Sequence, residues 1–260
     1  MSSAERFIIP ECFPGNVVAY TSTRCGGVSR EAFEDDAVRK EIPTADTPRA
    51  DYRGLNVGAH VGDDMVIVRQ NRERLRYSDR ITWLEQVHGS TVVTLPSSSV
   101  EADASFSSSS THFCAVMTAD CVPVLISDNK GKEVAAIHAG WKGLRAKIIA
   151  NAVTYFSSEP SQLIAWIGPS ICMQCYEVDE TLADKFSQYE NSVKQKKEAD
   201  RYLLDLPNIA NLQLARLGIQ HITQSHLCTY CRNDLFYSHR KATHNNYAAT
   251  GRIVSVIGFK

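Results

Sequence analysis

No apolar run in this 260-residue chain approaches the roughly 20 residues needed to cross a membrane. Residues 1–10 lack the basic-then-apolar order of an export signal, so the expected location is cytoplasmic. Charge of one sign is missing too. The 28 Lys and Arg stand against 29 Asp and Glu, and a formal charge of -1 exerts no global pull on nucleic acid or an anionic membrane. There are no internal repeats. Among eight histidines there is no His-x-His pair, the spacing by which a multicopper centre gathers its ligands. What is present is an ordinary globular composition, 43% hydrophobic and 22% charged, in a chain long enough to bury a full core without staples. In this context eight cysteines read as reduced thiols or metal ligands rather than disulfides.

The chain is organised around Ala119-Asp120-Cys121-Val122-Pro123-Val124-Leu125-Ile126-Ser127-Asp128 and the segment that ends His138-Ala139-Gly140-Trp141-Lys142. Two short Val- and Ile-rich runs flank Asp128-Asn129-Lys130-Gly131, the pattern of a β-hairpin. Cys121 enters the first strand and His138 leaves the second, so the two are expected side by side within about one residue of register. A thiol beside an imidazole is either a pair of metal ligands, a nucleophile with its base, or a buried structural pair.

Before this hairpin, residues 17–21 read as a strand that runs into Thr23-Arg24-Cys25-Gly26-Gly27, a loop where Arg24 suits an anion or a planar base, or is simply solvated. Residues 30–53 are charged and irregular, order resumes at Leu55-Asn56-Val57-Gly58, and 65–76 read as a mostly exposed helix. Residues 81–89 read as a strand ending at His88, and 91–95 as the next strand. Residues 97–110, with Asp103 among them, are Ser-rich and expected to form a mobile surface loop.

After the hairpin, a helix is expected over 142–156, its buried face formed by Leu144, Ile148, Ile149, Ala152, Tyr155 and Phe156. Its first turn, with Lys142 and Arg145, is a candidate anion site or a plain solvated start. A buried strand follows at 163–167. Val178, Leu182, Phe186, Tyr189 and Val193 mark one face of a second helix, and 202–204 form a short strand. Asp205 caps a third helix that Gly218 ends, and a final strand covers 253–259. Strands and helices alternate only in part. The expected fold is α/β (α+β), a single domain over residues 1–260 with mixed β-sheets flanked by helices.

His88, Cys121 and His138 would supply two imidazoles and one thiolate, the three-ligand set of a catalytic zinc with its fourth position open. A fourth protein ligand, Asp120 or His112, would instead make a closed structural site in a binding module. Cys172-x-x-Cys175 and Cys228-x-x-Cys231 have the pair spacing of a closed four-thiolate zinc site, a second and structural zinc if their two loops meet, or are independent free thiols. A redox pair is disfavoured, because neither opens a helix.

Glu85-Gln86-Val87-His88-Gly89, Thr118-Ala119-Asp120-Cys121-Val122-Pro123-Val124, Ala136-Ile137-His138-Ala139-Gly140-Trp141-Lys142-Gly143 and Ile167-Gly168-Pro169-Ser170-Ile171 strongly resemble the motifs of the YfiH family. Thr23-Arg24, Gly26-Gly27-Val28-Ser29 and Phe236-Tyr237-Ser238-His239-Arg240 extend the match, which runs in order from about residue 17 to 260. The family carries the label multicopper polyphenol oxidoreductase or laccase domain, and includes purine nucleoside phosphorylases and the peptidoglycan editing factor. The resemblance implies a single α/β domain of YfiH type and a metal site, zinc or alternatively copper, on His88, Cys121 and His138. It also implies phosphorolysis of adenosine, inosine, guanosine and methylthioadenosine, with deamination of adenosine. Trp141-Lys142 stands where many members have Trp-Arg, and Ser238-His239-Arg240-Lys241 where many have Ser-Tyr-Arg-Arg; charge is kept, but Lys142 lacks the fork of Arg. The resemblance also reads Cys175 and the Cys228/Cys231 pair as family variation.

Catalytic roles are therefore expected at His88, Asp120, Cys121 and His138, and substrate or phosphate contacts at Arg24, Asn56, Gln86, Trp141, Lys142 and Arg240. The expected partners are small molecules, a purine nucleoside and phosphate, acting on a monomer or homodimer. The competing activities are hydrolysis of a cell-wall precursor carrying L-Ser, such as UDP-MurNAc-L-Ser, and copper-dependent polyphenol oxidation. The missing His-x-His pairs weigh against the oxidase.

Overall fold

The apolar runs of the central hairpin become β8 (Val122–Asp128) and β9 (Val134–Ala139), buried along their whole length. The structure, a computed structural model, describes residues 6–33, 49–197 and 200–260. On either side of the hairpin lie β10 (Leu163–Ile167) with β14 (His221–Gln224), and β6 (Ala104–Ser107) with β5 (Val92–Thr94), giving a six-stranded sheet in the order β14-β10-β8-β9-β6-β5. Its two outer pairs are parallel and the inner ones antiparallel, so the sheet is mixed.

A second sheet has the order β1-β2-β16-β7, from β1 (Phe7–Ile8), β2 (Val17–Ser22), β16 (Ile253–Phe259) and β7 (Cys114–Thr118). Period-two alternation sorts the side chains. Leu125, Val134, Ala136 and Trp166 of the first sheet meet Cys114, Val116, Ile257 and Phe259 of the second in one apolar layer. The other face of the first sheet presents Val122, Val124, Ile126, Ala135, Ile137 and Ala165 to helices α2 (Trp141–Arg145), α3 (Ile148–Val153) and α5 (Leu206–Arg216). The far face of the second sheet packs Met117, Val254 and Val256 with Leu55, Val57 and Leu75, beside α1 (Met65–Glu73). The expected mixed α/β fold is what the chain adopts.

Two three-stranded sheets complete the architecture: β11 (Glu177–Val178), β13 (Tyr202–Leu204) and β12 (Val193–Gln195) form one, and β15 (Tyr247–Thr250), β4 (Arg49–Asp51) and β3 (Ala32–Phe33) the other. The remaining α-helices among the described residues are α4 (Glu180–Asp184) and α6 (His239–His244). No described helix is long and apolar enough to cross a membrane.

Four expectations are corrected. Residues 81–89 are extended but not a strand; only Ile81 and Glu85 make isolated bridges, and His88 turns to φ 59°. The Ser-rich segment is no surface loop throughout, because β6 lies buried between β5 and β9, and Ser105 and Ser107 are fully enclosed. The helix over 142–156 breaks in two at Lys147, whose φ of 61° lets Leu144 and Ile148 both reach the core and leaves Tyr155 exposed. The helix over 178–193 shrinks to α4, because Val178 and Val193 pair instead with β13, where their backbone hydrogen bonds are met by a ladder. Most of the 30–53 excursion lies outside the described residues.

Candidate functional site

Register decides the geometry of the thiol and the imidazole. β8 and β9 pair Pro123 with His138 and Val122 with Ala139, so Cys121 stands two positions from His138's partner rather than one. An offset of one would have sent the two side chains to opposite faces. An offset of two puts both on the face turned toward the second sheet, at the hairpin end where β7 has just finished at Thr118. His88 arrives from the 84–90 loop. The ligand atoms of His88, Cys121 and His138 lie within 4.8 Å of one another, and the two imidazole rings meet edge-on with centroids 4.8 Å apart. Gly140 makes the approach possible, since a Cβ there would stand 3.0 Å from the Cys121 Sγ and 3.5 Å from the His88 Cδ2.

Asp103 holds this cluster in place. Its carboxylate accepts from the Nδ1 of His138 at 2.8 Å, from the backbone N–H of His88 at 2.9 Å and from that of Gly89 at 2.6 Å. Its backbone carbonyl accepts from the His138 N–H at 2.8 Å. Burial pushes the Asp103 carboxyl up, but the hydrogen bonds from His138, Gly89 and His88 outweigh it and keep the group ionised. An ionised carboxylate only accepts, so Nδ1 of His138 carries the proton and Nε2 is left to face the cluster. Burial likewise raises the Cys121 thiol, yet His138 and His88 bring it down to about 6. Burial lowers His138, and the Cys121 thiolate and Asp103 carry it up to about 9. Two borderline nitrogens and a ready thiolate, unbonded to any fourth acidic or thiol donor among the described residues, match the donor set of a zinc or copper ion with an open position.

The cluster forms part of a cleft of about 530 Å³ that Arg240, Arg252, Lys142, Trp141, Tyr176, His60 and His239 also line. Arg240 donates to the Glu177 carbonyl at 2.8 Å, and its guanidinium lies 5.0 Å from the Tyr176 ring centroid. Burial and the charge of Arg252 keep His60 and His239 below the ordinary histidine pKa, so both are neutral at pH 7. Thr118 lines the cleft, but its hydroxyl is buried away from solvent and has no partner among the described residues.

Of the expected site residues, the structure gathers His88, Asp120, Cys121, His138, Gln86, Trp141, Lys142 and Arg240 around this cleft. Asp120, at φ 95°, uses both carboxylate oxygens: one accepts from Thr229 Oγ1 at 2.6 Å and the other from the Arg240 N–H at 2.7 Å. Gln86 is tied to the backbone of Met117 through both ends of its amide. Arg24 lies elsewhere. It is buried, paired with Asp51 at 2.6 Å, and spends its remaining donors on the carbonyls of Arg53 and Asn233. Asn56 is also buried outside the lining, where it fixes the backbone of Gly58 and Arg252 and donates to Asp63. With only five residues, α2 contributes little aligned dipole, so side chains rather than a helix start supply the positive charge. Asp103 and Arg252 were not expected as site residues. No local pattern marks either one, and only the packing of β6 and the start of β16 brings them here.

A family model described as multi-copper polyphenol oxidoreductase laccase matches residues 18–260. The Shigella flexneri protein named purine nucleoside phosphorylase YfiH is 37% identical over 262 residues, which is 97% of this chain and 98% of that protein. Among solved structures, Neisseria meningitidis protein NMB0706 superposes with a TM-score of 0.84 at 32% identity, covering 98% of this chain and 99% of that one. A Bacillus licheniformis hypothetical protein YfiH gives a TM-score of 0.82 at 28% identity, over 99% of this chain and 98% of that one. With its fold and its motifs shared along nearly the whole length, the chain belongs to the multi-copper polyphenol oxidoreductase laccase family, the family of the YfiH proteins.

Proposed function

We propose that this chain is a zinc-dependent purine nucleoside phosphorylase acting on adenosine, inosine, guanosine and methylthioadenosine, and that it also deaminates adenosine. The observation that carries the reading is the convergence, in one cleft, of a two-imidazole, one-thiolate donor set with Arg240, Arg252 and Lys142. The relative from Shigella flexneri, named purine nucleoside phosphorylase YfiH, supports it.

His88, Cys121 and His138 hold the metal, and Asp103 orients His138. Zinc suits a site with three protein ligands, and metal analysis separates it from copper, which takes the same donors. When bound, zinc brings the pKa of a water molecule toward 7 and so supplies the nucleophile that zinc deaminases direct at C6 of adenine. In phosphorolysis, phosphate attacks C1′ of the ribose, the C1′–N9 bond breaks, and the purine departs with the electron pair. Arg240 and Arg252 bind the phosphate, with Lys142 at the rim. Trp141 and Tyr176 offer aromatic faces to the purine, and neutral His60 and His239 offer hydrogen bonds. Asp120 positions Arg240 through its backbone.

Incubation of metal-analysed protein with inosine or adenosine, with and without phosphate, tests the reading by chromatography of the products. Hypoxanthine and adenine should appear only with phosphate, and inosine should accumulate from adenosine. A rate on UDP-MurNAc-L-Ser far above that on nucleosides would replace the proposal with a cell-wall hydrolase.

A further inference from the structure

The four cysteines of the two Cys-x-x-Cys pairs meet away from the cleft. Cys172 precedes, and Cys175 ends, a single 3-10 turn, Met173–Cys175, in the loop after β10. Cys228 and Cys231 lie in the loop after β14. A bridge between Ser170 and Cys228 clamps the two loops side by side: the Ser170 N–H donates to the Leu227 carbonyl at 3.2 Å, and the Thr229 N–H to the Ser170 carbonyl at 3.1 Å. All four sulfurs lie within 4.8 Å of one another, and Cys175 and Cys231 are 3.4 Å apart. Four thiolates arranged tetrahedrally at about 2.3 Å from one ion stand roughly 3.8 Å apart, so the quartet needs little movement to close.

Two backbone donors already meet one sulfur of the quartet. Cys228 Sγ accepts from the Cys231 N–H at 3.5 Å and from the Cys172 N–H at 3.3 Å. The first of these closes the Cys-x-x-Cys turn on itself, and the second crosses between the loops. Donors aimed at a sulfur stabilise its thiolate form, as the outer hydrogen bonds of a metal site do. Two disulfides would join the sulfurs only in pairs and would leave the mutual packing of all four without a purpose.

We propose that Cys172, Cys175, Cys228 and Cys231 form a closed tetrathiolate zinc site, separate from the metal cluster of the cleft. On binding, four zinc–sulfur bonds form and each thiol still protonated gives its proton to solvent; nothing is oxidised or reduced. The site is structural, since four protein ligands leave no open position. Its effect is to lock two loops that both reach the cleft: one carries Ile171 and Tyr176 to the lining, and the other carries Thr229 to Asp120.

The test uses the full chain purified anaerobically with zinc, with zinc per chain measured by mass spectrometry of the elements. Wild type should hold two zinc ions. A Cys121→Ala chain, which lacks the thiolate of the cleft, should keep one, and its zinc absorption edge should give a shell of sulfur alone at about 2.3 Å. The double variant Cys175→Ser/Cys231→Ser should also hold one, now with nitrogen in the shell. A folded Cys121→Ala chain without zinc, or with nitrogen or oxygen around it, overturns the proposal. So does a mass showing these four cysteines oxidised to disulfides. If the serine variant does not fold, the Cys121→Ala spectrum decides alone, and it does so whether or not the protein phosphorolyses nucleosides.

Discussion

The Nδ1 of His138 donates to the carboxylate of Asp103 at 2.8 Å, and both side chains are shut away from solvent. The same carboxylate carries the backbone of His88 and Gly89, so one residue sets the position of two of the three proposed ligands. Asp103→Asn puts an amide where only acceptors fit. Metal affinity should fall by about 10- to 100-fold, the range for losing a carboxylate behind a ligating histidine. Competition with a chromophoric chelator measures it, and unchanged affinity would remove Asp103 from the site.

Gly140→Ala should act on the cluster by bulk alone. Its new methyl would press on the Cys121 Sγ from 3.0 Å, so the thiolate must shift. A loss of metal affinity of at least about tenfold is expected, the low end of the cost of disturbing a ligand's support. Chelator competition, with circular dichroism showing the fold intact, checks this.

Arg252→Met should separate phosphate from nucleoside. Removing a charge-assisted hydrogen bond costs about 1.5–3 kcal/mol, so the KM for phosphate should rise roughly tenfold or more. The KM for inosine should change much less. Equal rises in both would mean that Arg252 shapes the cleft rather than binding the anion.

Glu133 gives a stability prediction independent of the site. Burial pushes its carboxyl up, but hydrogen bonds from Ser157 and Ser158 prevail and hold it below the ordinary value of 4.5. A depressed pKa stabilises the fold above the unfolded value, and the gain is lost as pH falls through the folded one. Glu133→Gln should therefore lower Tm by about 2–4 °C at pH 7, about 1 kcal/mol, with the gap closing below pH 4.5. A gap constant down to pH 3 would contradict the linkage.

How much could be read in the chain depended on whether a signal was local. The β8–β9 hairpin was legible because two apolar runs flank a Gly-containing turn, and it brought Cys121 and His138 together. Only their face, fixed by an offset of two, needed the register. His88 entered as the third ligand that Cys121 and His138 lacked, read at the end of a strand, whereas it sits in a loop at φ 59° where no periodicity marks it. Asp103 stayed hidden because serine-rich composition suggests a solvated loop, whereas β6 buries its hydroxyls between two strands. Arg24 looked like an anion ligand from its glycine-rich surroundings, but Asp51 on a distant strand takes its charge. The break at Lys147 carries no Gly or Pro. The cysteine spacing allowed one four-thiolate site if two loops met, and their meeting rests on the Ser170–Cys228 bridge between loops 56 residues apart at their cysteines.

The most direct test of the account is the rate of inosine phosphorolysis against metal occupancy of the cleft. Apoprotein would be titrated with zinc, and ribose 1-phosphate and hypoxanthine quantified at each step. The account predicts equimolar products at a rate proportional to zinc held by His88, Cys121 and His138, and none from Cys121→Ala. Turnover that stays constant as this site empties would contradict it.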